Sequence, residues 1–266
     1  MVSVEGLIRN GERTFDLLRL ADNEKPEMAV VQFFGADPSS FSKSVEILLK
    51  QYRPLCIDIN AGCSVRKVVK TGAGVALMGN PKKAHDIIKA MKDVDSSLLV
   101  SIKFRLGLNY DSVSYLDFAE HAAQAGADIM TLHPRTASQG FSGAADHART
   151  KALKEAFPEK IVIASGDAFE MRSVDEVLSL SSCDAVMMAR GLIGNPFAFE
   201  GRNKTEVPSD ERIAAYNRHY ELLKHYEGER KADFLIRKFA KAYLSGIDKC
   251  LIDGVSSKAS MKNALS

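Results

Sequence analysis

Residues 55–81, LCIDINAGCSVRKVVKTGAGVALMGNP, decide how the rest of the chain is read. The opening LCIDIN is a short apolar run of strand character. It breaks at Ala61-Gly62, where glycine lets the backbone turn sharply. Cys63 follows at once, and Val65, Val68 and Val69 recur at helical spacing until Gly72 and Gly74 interrupt. A thiol therefore stands where a strand hands over to a helix. In parallel α/β proteins the loops at the carboxyl ends of the strands line the ligand crevice. Position alone does not make Cys63 reactive: free cysteine is among the most buried residue types, and a structural thiol is its ordinary role.

Outward from this stretch the same unit repeats. EMAVVQFFGADP precedes it, and LLVSIKFRLG, DIMTLHPR, IVIASGD and DAVMMARG follow, each an apolar run bounded by turn residues. Between them lie helical patterns. Val45, Leu48, Leu49 and Tyr52 share one face, Pro81 opens a helix carrying Ile87, Ile88 and Met91, and further helices cover Ser114 to Gln124 and the region of Lys151 to Ala156. Six strands, nearly continuous in apolar residues and alternating with helices, predict a parallel sheet covered on both faces. Doubly wound and barrel arrangements both satisfy that pattern. Gln32, Asn60, Lys103, His133, Ser165 and Arg190 stand at or near successive carboxyl ends, which favours a TIM-type (β/α) barrel. A standard barrel has eight strands, so the expectation is an N-terminally incomplete barrel with exposed edges.

After Pro196 the character changes. NKTEVPSDE reads as a linker, with Ser209 or Asp210 capping a helix in which Ile213, Tyr216, Tyr220 and Leu223 repeat. A second helix carries Phe234, Leu235, Phe239 and Tyr243, with Arg237, Lys238 and Lys241 on its other side. The predicted division is a barrel over 1–200 and a small all-helical domain over 201–266, whose closing GVSSKASMKNALS is expected to fray.

A chain of 266 residues, 45% hydrophobic and 26% charged, has the composition of an ordinary globular protein. No apolar run approaches the roughly twenty residues needed to cross a bilayer, and a signal-peptide core is lacking, so a cytoplasmic protein without membrane partners is expected. Cys56, Cys63, Cys183 and Cys250 form no C-x-x-C pair, which argues against a metal site or a disulfide framework. Net charge is +2, but residues 202–266 hold 13 Lys or Arg against 9 Asp or Glu. That sign suits a surface meeting phosphates and equally a solvated helical face.

The motif DINAGCSVRKVVKTGAGVAL resembles the signature of the tRNA-dihydrouridine synthases, with Asn60, Gly62, Cys63, Gly72, Ala73 and Gly74 matching and Ser64 standing where the family has proline. The likeness continues in the family's order through VQFFGADP, SIKFRLG, HPRTASQGFSGAADH, ASGDAF and MARGLIGNPFAF. It implies an FMN-dependent oxidoreductase that reduces a uridine of tRNA with NADPH, Cys63 being the proton donor. It further implies that Gln32, Lys103 and His133 lie beside the flavin and that Ser165, Gly166, Asp167, Ala189 and Arg190 hold its phosphate. Asn60, Arg105 and Arg135 would hold the substrate nucleotide, although for the two arginines an ion pair with Asp58 or Asp167 is an equal alternative. His133 would not be singled out without the resemblance, since a strand histidine is more often structural. MVSVEGLIRN matches the end of the family's second strand; the first strand, with its Ala-Pro-Met motif, has no counterpart, so either the chain starts at an internal methionine or it is a shortened form. Two other classes remain open: an FMN barrel reductase of a small molecule, and a non-catalytic tRNA-binding relative.

Overall fold

The computed structural model describes residues 1–20 and 24–248. The closing stretch expected to fray, and Cys250, lie outside the described residues. Among the described residues seven parallel strands form one sheet: β1 (Val2–Ser3), β2 (Val30–Phe34), β3 (Cys56–Ala61), β4 (Val100–Arg105), β5 (Ile129–His133), β6 (Ile161–Ser165) and β7 (Ala185–Met187). The strand beyond the six expected is the two-residue β1, whose Val2 and Ser3 pair with Phe33 and Phe34. Spatial order follows chain order without reversal. A doubly wound sheet reverses at a switch point, so this order resolves the ambiguity in favour of barrel winding. Among the described residues β1 and β7 are the sheet's two edges.

The helices are α1 (Val4–Ile8), α2 (Glu12–Phe15), α3 (Pro38–Gln51), α4 (Arg66–Val69), α5 (Pro81–Val94), α6 (Tyr115–Gln124), α7 (His147–Ala156), α8 (Met171–Ser181), α9 (Ser209–Glu227) and α10 (Glu229–Leu244). Local chemistry explains where the longer ones begin. Asp37 accepts the Ser40 N–H at 2.8 Å ahead of Pro38, and Asn80 accepts the Lys83 N–H at 3.1 Å ahead of Pro81. The helix expected after Cys63 is the single turn α4, ended as expected by Gly72 and Gly74, both of which are left-handed.

The chain forms two compact units, Met1–Asp167 with Val177–Met187, and Ala168–Glu176 with the described residues from Met188 on. In the first unit the parallel register sorts side chains by parity. Val31, Phe33, Ile57, Ile59, Val100, Ile102, Phe104, Met130, Leu132, Val162 and Ala164 share one face, all at most 7% exposed. Each larger member contributes roughly 1.5–3 kcal/mol on burial, so this face anchors the sheet to its helices. The opposite face carries Gln32, Asp58, Asn60, Ser101, Lys103, Arg105, Thr131, His133 and Ser165. Its apolar members Val30, Ile161 and Met187 are substantially exposed.

In the second unit α9 and α10 pack through Tyr216, Tyr220, Ala232, Ile236, Ala240 and Tyr243. Two expectations change here. Helix α9 starts at Ser209 itself after Pro208, so neither Ser209 nor Asp210 is its cap. The buried stripe of α10 is Ala232, Ile236, Ala240 and Tyr243, while Phe234 faces solvent, because the four-residue spacing runs through the small residues. Buried Arg212 donates to the Tyr243 and Ser245 carbonyls at 2.6 Å each, satisfying the end of α10.

Candidate active site

The turn after β3 is built by Asn60. Its Oδ1 accepts the backbone N–H of Gly62 at 3.2 Å and of Cys63 at 2.9 Å, an Asx turn that halts the strand and lifts Cys63 clear of it. The Cys63 carbonyl accepts the Val75 N–H at 2.9 Å, and the thiol residue is partly exposed. Gly74 makes this approach feasible: at φ +62°, a Cβ there would lie 2.5 Å from the Cys63 oxygen. Ser64, in the place of a proline, is exposed.

Beneath the turn lies a polar chain, half-buried at Asn60 and Gln32 and buried at Asp58 and Ser101. Asn60 Nδ2 donates to Gln32 Oε1 at 3.0 Å, and Gln32 Nε2 donates to Asp58 Oδ2 at 2.6 Å. Ser101 Oγ donates to the other Asp58 oxygen. Burial pushes the Asp58 carboxyl up, while Ser101, Gln32 and then Lys103 pull it back. Lys103 stands beside Asn60 in the register. Burial lowers its pKa, Arg105 lowers it further, and Asp58 opposes both. Among the described residues its ammonium has no hydrogen-bond or ion-pair partner.

The two strand-end arginines are engaged by the protein. Arg105, 6% exposed, donates to the carbonyls of Gly62 at 3.1 Å and of Thr136 and Gly140 at 3.0 Å each. It thus bonds carbonyls rather than Asp58. Arg135, 2% exposed, takes the ion-pair alternative: Nη2 reaches both Asp167 oxygens, at 2.8 and 2.6 Å, and the Gly143 carbonyl at 2.5 Å. Its Nη1 donates to His133 Nε2 at 3.2 Å, which requires a neutral imidazole there. Burial and the charges of Arg105, Lys103 and Arg135 push His133 down to about 3, in agreement. Gly166, at φ +113°, lies so close to His133 that a Cβ would come within 2.9 Å of the ring. Ser165 is buried, and Asp167 adopts φ +56° while also accepting the Ala145 N–H at 2.8 Å.

Ala189 and Arg190 belong to the second unit. There the Arg190 guanidinium lies 5.0 Å from the Phe169 ring centroid, and a Cβ on Gly191 would strike the Phe169 carbonyl at 2.4 Å. The structure therefore gathers Gln32, Asn60, Cys63, Lys103, Arg105, His133, Arg135, Ser165, Gly166 and Asp167 in the first unit, all on or directly after β2 to β6.

A family model for dihydrouridine synthase matches residues 1–263. The chain belongs to the dihydrouridine synthase family. That places it among oxidoreductases. Among its relatives, a probable tRNA-dihydrouridine synthase of Treponema pallidum is 33% identical over 260 residues, covering 92% of this chain and 76% of that one. The tRNA-dihydrouridine synthase B of Pasteurella multocida is 33% identical over 239 residues, covering 86% and 71%. A probable tRNA-dihydrouridine synthase of Aquifex aeolicus is 30% identical over 252 residues, covering 93% and 78%.

For this dihydrouridine synthase chain, reading by motif passed over Asp58 as a site residue, together with Ser101 and Phe141. The alternation Asp58-Ile59-Asn60 was the available signal for the first, since residues two apart in a strand share a face. Phe141, 62% exposed, has its ring 6.0 Å from that of His133 and 5.9 Å from the Arg105 guanidinium. No described helix is long and apolar enough to cross a membrane.

Proposed function

We propose that this chain reduces the C5–C6 double bond of a uridine in tRNA, with FMN as hydride carrier and NADPH as reductant. The observation that carries this reading is that Cys63, held partly exposed past the end of β3 by Asn60, is accompanied on the neighbouring strand by Lys103, whose ammonium has no hydrogen-bond or ion-pair partner among the described residues. A half-buried lysine lacking a protein partner is costly to keep charged, and a bound anion resolves that cost. Bound flavin would supply the hydride. Lys103 would answer the negative charge that collects at the ring's N1–O2 edge on reduction, with Gln32 and His133 beside it. Neutral His133 would act there as a hydrogen-bonding group rather than as a cation. Ser165, Gly166 and Asp167 would hold the phosphate, the glycine giving the backbone close approach.

Cys63 would give its thiol proton to C5 as the hydride arrives at C6, and the thiolate left behind would regain a proton from solvent. Asn60 would hold the uracil edge. Arg105 and Arg135 would serve the nucleotide by fixing the 136–146 segment whose carbonyls they bind. The target base must leave its stack to reach such a site, and residues 201–266, with their excess of Lys and Arg, would grip the tRNA while it does. The protein is accordingly assigned to the cytoplasm, where tRNA is modified.

Stopped-flow reduction by NADPH and single-turnover dihydrouridine formation, measured on wild type and Cys63→Ala, test the reading. The flavin band is expected to bleach at an unchanged rate in the variant while dihydrouridine formation drops by about 10²-fold or more. Equal dihydrouridine formation in both proteins removes the thiol from the mechanism. A protein that takes up no FMN but shifts tRNA in a gel favours a non-catalytic relative.

A further inference from the structure

The hydrogen-bond chain beneath Cys63 has a fixed direction, set from both ends. At one end the donors are backbone N–H groups of Gly62 and Cys63, so the Asn60 atom facing them is its oxygen. The Asn60 amide nitrogen must then face Gln32, which presents its oxygen, and the Gln32 nitrogen is left pointing at residue 58. A chain with this polarity has to end on an acceptor. Asp58 is that acceptor, 6% exposed, and its second oxygen receives Ser101 Oγ, itself 5% exposed.

We propose that Asp58 is a positioning residue that sets the turn carrying the proton donor, acting through Gln32 and Asn60 on the backbone of Gly62 and Cys63. The catalytic purpose rests on the function proposed above; the relay itself does not. Without an acceptor at 58, the Gln32 amide is free to reverse. Asn60 then gains by reversing with it, and its NH₂ comes to oppose the two backbone donors. An asparagine at 58 avoids this, because its oxygen still accepts from Gln32 while its NH₂ donates to Ser101, whose hydroxyl rotates to accept. Asp58→Asn therefore separates the polarity of the relay from the charge that Asp58 offers Lys103.

Hydrogen exchange on the full chain, read at the Gly62 and Cys63 amides in the absence of cofactor and tRNA, tests the relay by itself. Asp58→Ala is expected to lower protection at these two amides by about tenfold, with the β4 and β5 amides unchanged, and Asp58→Asn to stay within about threefold of wild type. Gln32→Met, which cuts the relay with Asp58 in place, should reproduce the Asp58→Ala pattern, and the double variant should add nothing to it. In the loaded enzyme, Asp58→Ala should lower the rate of uridine reduction at saturating tRNA, with Asp58→Asn restoring it. Full protection in Asp58→Ala or in Gln32→Met overturns the proposal, as does an Asp58→Asn protein that behaves like Asp58→Ala. Should Asp58→Ala fail to fold, Gln32→Met and Asp58→Asn decide the matter alone. Intact exchange behaviour beside an inactive enzyme would count against the proposed reaction, and lost protection beside an unimpaired one against the catalytic purpose.

Discussion

Arg135 grips Asp167 with both carboxylate oxygens engaged, across 32 residues of chain and with the arginine almost wholly buried. The same guanidinium holds the Ser142 and Gly143 carbonyls, so one side chain ties the segment after β5 to the end of β6. Arg135→Met removes the cation facing the carboxylate, which keeps the Ala145 N–H, and frees the carbonyls. Because the Asp167 side chain is 29% exposed, water repays part of that, and the expected loss is the low end of the range for breaking a buried pair, about 3 kcal/mol by urea unfolding. Adding Asp167→Asn should recover part of it; strictly additive losses would mean that the pair is not coupled.

Acid should destabilise the protein through His133. Its pKa in the folded chain, about 3, lies below the ordinary 6.5, so between those values the unfolded chain holds a proton that the folded one lacks. Stability is therefore fully present above about 6.5 and falls as pH drops. Asp58, shifted up, acts in the opposite sense, but it is common to any pair of variants that differ at 133 alone. Wild type should lose roughly 2 kcal/mol more than His133→Gln between pH 7 and pH 5, the glutamine keeping an acceptor for Arg135. Parallel urea midpoints across that range would contradict it.

Gly72 and Gly74 make a matched comparison. Both have positive φ, +77° and +62°, but a Cβ at 72 meets the Ala36 methyl at 3.4 Å, whereas one at 74 collides with Cys63. Each alanine costs about 1–2 kcal/mol of backbone strain. Gly74→Ala alone should also displace the thiol and cut dihydrouridine formation by about tenfold or more, the cost of misplacing a reacting group. Equal activities in the two variants would show that the glycine motif does not aim Cys63.

Lys103→Met should have opposite consequences for the empty and the loaded protein. With no hydrogen-bond or ion-pair partner for the ammonium among the described residues and burial opposing its charge, its removal should raise unfolding stability, by up to about 1 kcal/mol. FMN binding, followed by fluorescence quenching, should weaken by about tenfold to a hundredfold, the worth of a charged hydrogen bond. A variant that is unstable yet binds FMN normally would assign Lys103 to the scaffold.

Much of the fold was legible because a strand buried against helices must be apolar on that side, and runs such as VQFF and SIKF announce themselves. The polar carboxyl ends were legible for the same reason inverted: Lys103 and Gln32 are conspicuous in apolar company. What stayed hidden depended on register and distance. Nothing local says that Asp58 lies beside Gln32, 26 residues away, or that Arg135 would choose Asp167 over solvent. In α10 the large residues drew attention, yet alanines made the buried seam because two helices approach closely where side chains are small.

Because every strand docks beside the one synthesised just before it, each loop closed during folding spans a single strand-helix unit. Such short closures keep the entropic barrier low and allow the sheet to grow in the direction of translation. By the time residue 105 has left the ribosome, β3 has both its neighbours, and Gln32, Asp58, Asn60 and Ser101 have all been made. The ledge under the thiol is thus available to the nascent chain well before Arg135 and Asp167 emerge to fasten the far side.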